Sequence, residues 1–418
     1  MSSHPVIALA LADVVSLLGT RLSMIAIPWL VLTTTSDPLL TGLIGFAEML
    51  PYVLAKALCG PLIDRLGTRR IAIASDLASM FAIALVPLLH FSGGLHFATL
   101  LPVVVLFGTL RGPADAAKQS MVPAVAAFSD VPLERVTGIM GTIDRLAGAL
   151  GGAAAGALVA IFGAAPALVL TVFACAIAAI MVAIGLDLPG TTPATSEAKP
   201  AYFAELREGW LYFGTDPVLV GIVIMVAITN LFDQAYIAVL LPVWVTLVGD
   251  ATLLGALLAT FSAAAILGSG FATWLAPRLP RLLVYATAFI ICGAPRYLVF
   301  VAEVPFVAIF AVLATAGFAS GFINPIISAV TFERIPPALV GRVNSLIGAL
   351  AWMLIPFGSL VGGALIVCFG LPAAFTISAA VYLAATMLPL AVPSFRAIAH
   401  RQRRLSRKRD CQGYKFDQ

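Results

Sequence analysis

The sequence predicts an all-α membrane protein of twelve transmembrane helices, arranged as two six-helix halves related by pseudo-two-fold symmetry. Three observations predict it. Of 418 residues, 61% are hydrophobic and 11% charged, whereas a soluble domain carries about 25% charged residues. Apolar runs long enough to cross a bilayer recur along the whole chain. Basic residues gather in every second loop.

The spans are expected at 6–32, 39–62, 71–91, 96–112, 136–162 and 165–187, then at 218–247, 252–276, 282–302, 305–328, 343–369 and 372–393. The run after Met1–Pro5 lacks a basic leader and is too long for a cleaved signal segment, so it reads as the first helix. The even loops carry Arg65, Arg69 and Arg70; Lys118 and Arg135; Lys199 and Arg207; Arg278 and Arg281; Arg334 and Arg342. The odd loops carry Asp37, His96, Asp250 and Glu303 instead. Since Lys and Arg stay cytoplasmic, the span count is even and both termini are expected in the cytoplasm of a cell with an inner membrane.

Four segments follow: 1–187 as the first half, 188–217 as a cytoplasmic linker, 218–393 as the second half and 394–418 as a basic tail. Pro189–Ser196 is linker by composition, and Phe203–Phe213 reads as an amphipathic interfacial helix. Residues 135–168 align without gaps to 342–375, the pair Arg135–Val136 meeting Arg342–Val343 and Phe162–Gly163 meeting Phe369–Gly370. Such parallel repeats are a known transporter plan. The tail from Arg396 holds eight basic and two acidic residues. It suits anionic lipid better than nucleic acid, because it is tethered at a membrane face.

The five cysteines lie far apart without metal-ligand spacing, so neither metal nor disulfide is expected. No phosphate-binding loop and no nucleophile motif is present. No cofactor is expected, and enzymatic function is not expected.

The loop after the second span reads Gly60–Pro61–Leu62–Ile63–Asp64–Arg65–Leu66–Gly67–Thr68–Arg69–Arg70. It resembles the signature of the major facilitator superfamily, departing from it at Thr68. The corresponding loop of the second half, Pro277–Arg281, has Pro277 where the acid would stand. Gly19–Thr20–Arg21, Ile27–Val31, Arg111–Ala114 and Met121–Pro123 resemble the macrolide-efflux and siderophore-export branch of the drug:proton antiporters. The resemblance implies secondary active transport by alternating access: efflux of amphipathic small molecules coupled to protons, by a monomer. It also implies that the motif Gly60, Asp64, Arg65, Gly67, Arg69 and Arg70 latches conformational states, and that Arg111 takes part in proton coupling. A tight-turn ion pair at Asp64 and headgroup anchoring of Arg111 are the plainer alternatives.

Ionisable residues inside spans are functional candidates by default. In an antiparallel hairpin, equal depth means a constant sum of residue numbers, which sets Arg21 level with Glu48 and Asp13 level with Lys56. Arg21 and Glu48 fall near mid-bilayer and are candidates for the pathway; Asp13 and Lys56 read as interfacial. Asp144 in the fifth span and Asp233 in the seventh, beside Asn230 and Gln234, offer proton or cation sites. Each is equally read as half of a buried structural pair. Glycines of the fifth and eleventh spans permit close helix contact. Two other readings stay open: a nutrient importer, which would need a more polar cavity, and a membrane scaffold, which would have lost the motif and the buried charges.

Overall fold

Long apolar runs leave the backbone one way to satisfy its polar groups in lipid, the helix. The computed structural model describes residues 4–131, 133–186, 210–275, 281–335 and 340–391, and they contain no strand. The first six spans are α1 (His4–Thr35), α2 (Pro38–Leu58), α4 (Thr68–Phe91), α5 (Phe97–Ser129), α6 (Leu133–Phe162) and α7 (Ala164–Gly185), with a short α3 (Gly60–Leu66) between the second and third.

The seventh span is α8 (Pro217–Ala235), a π-helical turn at Tyr236–Leu240 and α9 (Leu241–Val248). The eighth is α10 (Ala251–Leu275). Three later spans are broken: α11 (Arg281–Cys292) with α12 (Ala294–Leu298), α13 (Phe306–Ser320) with α14 (Ile323–Arg334), and α15 (Val340–Trp352) with α16 (Ile355–Phe369). The twelfth is α17 (Leu371–Ala391). Among the described residues eight helices are long and apolar enough to cross a membrane, and two shorter apolar ones accompany them. The protein is a multi-pass membrane protein of twelve spans.

The fourth span corrects the sequence reading. It does not end at residue 112 but runs on to Ser129 as one helix of 33 residues, through Pro102, Pro113 and Pro123. At 1.5 Å per residue it is about 50 Å long. Lys118, expected in a loop, is therefore in a helix, and its side chain is 1% exposed.

Contacts divide the chain into two compact units. The first comprises Met1–Glu197, Asp233–Ser262 and Ile355–Leu371. Within it α1 lies against α7 and α6, α4 against α5 and α7, and α2 against α5 and α16. Glycines set how close these helices come. A methyl group at Gly108 of α5 would run into the Glu48 carbonyl of α2, and one at Gly112 into the Tyr52 carbonyl. Leu9, Ile71, Met121, Val125, Val182 and their neighbours form a dry core beneath.

The second unit comprises Ala198–Phe232, Ala263–Leu354 and Pro372–Gln418. In it Tyr285 donates from its hydroxyl to the Thr386 carbonyl over 3.1 Å. Phe213, Leu219, Val223, Val343 and Leu346 form one of its clusters. Of the expected interfacial helix, 203–213, only the end lies within the described residues, where 210–215 is helical. Trp210 and Leu211 face outward there and Phe213 is buried. The loop Pro277–Arg281 and the basic tail lie outside the described residues, apart from Arg281 itself.

Candidate functional site

The fourth span presents Arg111, Asp115 and Lys118 at helical spacing on one face. That face meets α1, α2 and α4 inside the first unit. The result is a buried cluster of two cations and two carboxylates. Arg111 Nη1 lies 2.7 Å from Asp76 Oδ1 of α4, and Arg111 Nη2 lies 2.9 Å from Asp115 Oδ1. Lys118 Nζ lies 3.0 Å from Asp76 Oδ2 and 3.8 Å from Asp115 Oδ1. The four charges sum to zero. None of the four residues is more than 3% exposed.

Hydroxyls complete the cluster. Arg111 donates through Nε to Thr20 Oγ1 over 2.7 Å and through Nη2 to the Ser16 carbonyl over 2.8 Å. Arg111 and Lys118 both donate to the Ser16 hydroxyl. Tyr52 donates to Asp115 Oδ2 over 2.9 Å. Isolated charges cost several kcal/mol when buried, so mutual compensation is what allows four of them here.

Glu48 is different. It is 3% exposed, on the face of α2 one turn from Tyr52. The described residues offer it no ion pair; its partner is Ser23, whose Oγ is 2.8 Å from Glu48 Oε1. The same Ser23 Oγ is 2.9 Å from the Thr20 carbonyl. Glu48, Tyr52, Thr20, Met24, Phe107 and Arg111 surround one narrow gap that has no room for a water molecule.

Glu48 therefore meets Ser23, not Arg21. Arg21 is half-buried and turns its stem to α6: a methyl group at Gly151 would sit 2.7 Å from Arg21 Cβ. The turn is centred on Ser36–Asp37, which moves the position level with Glu48 up α1 from Arg21 toward Ile25, and Ser23 between them makes the contact. Asp233 is half-buried in α8. Asn230, in the second unit, donates from Nδ2 to the Ala351 carbonyl over 2.9 Å, beside the break between α15 and α16. Asp144 lies in α6, its side chain outside the described residues, as is that of Asp64 in α3.

The motif residues divide by role. Gly67 has φ +89 and ψ 143, a conformation nearly reserved for glycine. Gly60 has open space where a side chain would go. Arg69 Nη2 donates over 2.6 Å to the carbonyl of Ala183, in the last turn of α7. A cation there also meets the negative end of the helix dipole. Arg65 and Arg70 are exposed.

Two stretches of the chain, residues 9–249 and 223–410, match the sequence profile of the Major Facilitator Superfamily. The chain belongs to this superfamily. Among superfamily members it is 29% identical to the multidrug efflux pump Tap of Mycolicibacterium fortuitum over 379 residues, 89% of this chain and 91% of that one. It is 28% identical to the Tap pump of Mycobacterium tuberculosis (strain ATCC 25618 / H37Rv), with 94% of each chain covered. Its fold is similar to that of the nucleoside transporter NupG, with a TM-score of 0.71 at 13% identity over 94% of this chain and 98% of that one. It is similar too to a bacterial homologue of the iron transporter ferroportin in its inward-facing state, with a TM-score of 0.68 at 14% identity over 96% and 99%. The family and the fold make it a secondary transporter acting on small molecules.

The sequence reading named Arg111 and Glu48 but not Ser16, Ser23, Tyr52, Asp76 or Asp115. The signal for Asp115 and Lys118 was present: positions 111, 115 and 118 share a helix face if the fourth span is allowed to continue.

Proposed function

We propose that the protein exports amphipathic small molecules, drug-like or macrolide-like, against their gradient in exchange for protons. Glu48 is the proton carrier. One observation carries this: Glu48 is a buried carboxyl, without a counter-ion among the described residues, packed around the same narrow gap as Arg111. Losing or gaining a proton there changes the local charge by one unit in a setting where charge is expensive. Arg111 is already bonded to Asp76, Asp115, Thr20 and Ser16, so its charge is held constant while that of Glu48 changes. The names of the mycobacterial relatives support the efflux direction and the breadth of substrate.

On this reading the segments 1–187 and 218–393 are the two moving halves, and 188–217 connects them. The protein sits in the inner membrane as a monomer with both termini cytoplasmic, and the tail 394–418 binds anionic lipid. Asp64 belongs to the conformational latch. Arg21, Asp144, Asp233 and Asn230 are each candidates for binding a proton or a substrate.

The test uses inverted vesicles with an acid interior. Ethidium or erythromycin should accumulate inside while the pH gradient stands, and should leak out when nigericin collapses it. Accumulation that ignores the gradient would refute proton coupling.

A further inference from the structure

Ser23 has one hydroxyl hydrogen and two acceptors in reach. Its Oγ is 2.9 Å from the Thr20 carbonyl, three residues back on α1, and 2.8 Å from Glu48 Oε1 on α2. A serine hydroxyl donates once and accepts twice. If Glu48 carries a proton, Glu48 donates to Ser23 and Ser23 donates to Thr20; every contact is then a hydrogen bond. If Glu48 is ionised, the Ser23 hydrogen turns to the carboxylate, because a bond to an ion is roughly twice as strong as a neutral one. The Thr20 carbonyl then loses its side-chain donor.

That loss has a mechanical meaning. A serine bonding back along its own helix bends the helix slightly. The bend falls at Thr20, and Thr20 is also where the buried cluster holds α1: its hydroxyl accepts from Arg111 Nε over 2.7 Å and stands 3.1 Å from the Ser16 carbonyl. Ser16, one turn earlier, accepts from Arg111 at its carbonyl and from Arg111 and Lys118 at its hydroxyl.

We infer that Ser23 is a positioning residue that converts the protonation of Glu48 into a change of bend in α1 at Thr20, and so into strain on the Arg111 cluster. The inference rests on the reading of Glu48 as proton carrier. The charged and titratable groups around it are accounted for element by element. From α5 comes Arg111, already paired with Asp76 of α4 and with Asp115. From α2 come Tyr52, which donates to Asp115, and Lys56, lying 5.7 Å from the Tyr52 ring centre. From α1 comes Arg21, turned toward α6. Neighbouring α16 brings Ser359 against Gly45 and no ionised group there. Asp144 and Arg145 of α6 have side chains outside the described residues.

The experiment is pH-difference infrared spectroscopy of the purified full-length protein in lipid, for wild type, Glu48→Gln, Ser23→Ala and Ser23→Thr. Alanine is well tolerated in helices, and threonine keeps the hydroxyl. In the wild type, acidification should raise a protonated-carboxyl band together with an amide I change from the α1 backbone. Glu48→Gln should remove the buried-acid component of that band and the amide I change with it. Ser23→Ala should move the carboxyl band to higher wavenumber, since the acid has lost its acceptor, and should delete the amide I change. Ser23→Thr should restore the wild-type pattern. A Ser23→Ala spectrum like that of the wild type would overturn the role of Ser23 alone. A carboxyl band of undiminished size and shape in Glu48→Gln would overturn the Glu48 reading and this inference with it.

Discussion

Arg111 and Asp76, 35 positions apart in the chain, meet at 2.7 Å with their side chains 2% and 0% exposed. This pair fixes α5 to α4, and everything near the candidate site is registered against it. Removing one partner of a buried pair leaves an uncompensated charge, which costs about 3–5 kcal/mol. Asp76→Asn should therefore lower the melting temperature in detergent sharply. The double variant Asp76→Asn, Lys118→Met restores neutrality and should recover part of the loss. If the two changes instead add, the four charges are not one cluster.

The two motif glycines should part company. Gly67→Ala forces a side chain into a backbone region nearly closed to it, at about 1–3 kcal/mol. Gly60→Ala meets nothing within 4 Å and should leave stability unchanged. Thermal unfolding of both variants, side by side, checks this. Equal losses would mean that Gly60 has a role this conformation does not display.

Arg69→Ala removes a hydrogen bond to the last turn of α7, and the site is only partly buried. A loss of about 1 kcal/mol is expected, with the helix dipole contributing a share. Arg69→Lys keeps the charge but not the fork of donors and should fall between. Hydrogen exchange at the end of α7 reads the effect locally: faster exchange there in Arg69→Ala supports the tether, and unchanged exchange contradicts it.

In the second unit Asp216 has two duties. Its Oδ1 accepts from the Val218 amide over 2.8 Å at the start of α8, and its Oδ2 accepts from Arg334 Nη1 over 2.7 Å. The partly buried ion pair is worth about 1 kcal/mol or less, as surface pairs are, and the cap typically about 1 kcal/mol. Asp216→Ala should thus cost more than Arg334→Met, with Asp216→Asn close to the latter because asparagine still caps. A denaturation series on the three variants should give that order; Arg334→Met as the worst of them would reverse the assignment.

Much of the fold was legible because lipid imposes strong rules. Hydropathy located the spans, and alternating basic loops gave their parity. The failures are physical rather than accidental. The fourth span was cut at residue 112, where a long mixed stretch begins that holds Pro113, Asp115 and Lys118. Proline is tolerated within a membrane helix when neighbours satisfy the freed carbonyl, and a lysine is tolerated when two carboxylates surround it. Neither fact is visible along a single strand of sequence. Asp76 was overlooked for the same reason: its meaning comes from α5. Ser23 carries no signal at all until α2 places Glu48 beside it, since a lone serine in an apolar helix is ordinary. The Glu48 carboxyl, by contrast, announced itself as a charge in the middle of a span.

The most direct test of the central claim compares two transport modes in one variant. Glu48→Gln, reconstituted in vesicles, should still exchange labelled ethidium across the membrane at equal pH, because exchange needs alternation but no net proton movement. It should fail to accumulate ethidium when a pH gradient is imposed. Exchange kept and accumulation lost would place the coupling proton on Glu48. Accumulation at the wild-type level in Glu48→Gln would contradict the account outright.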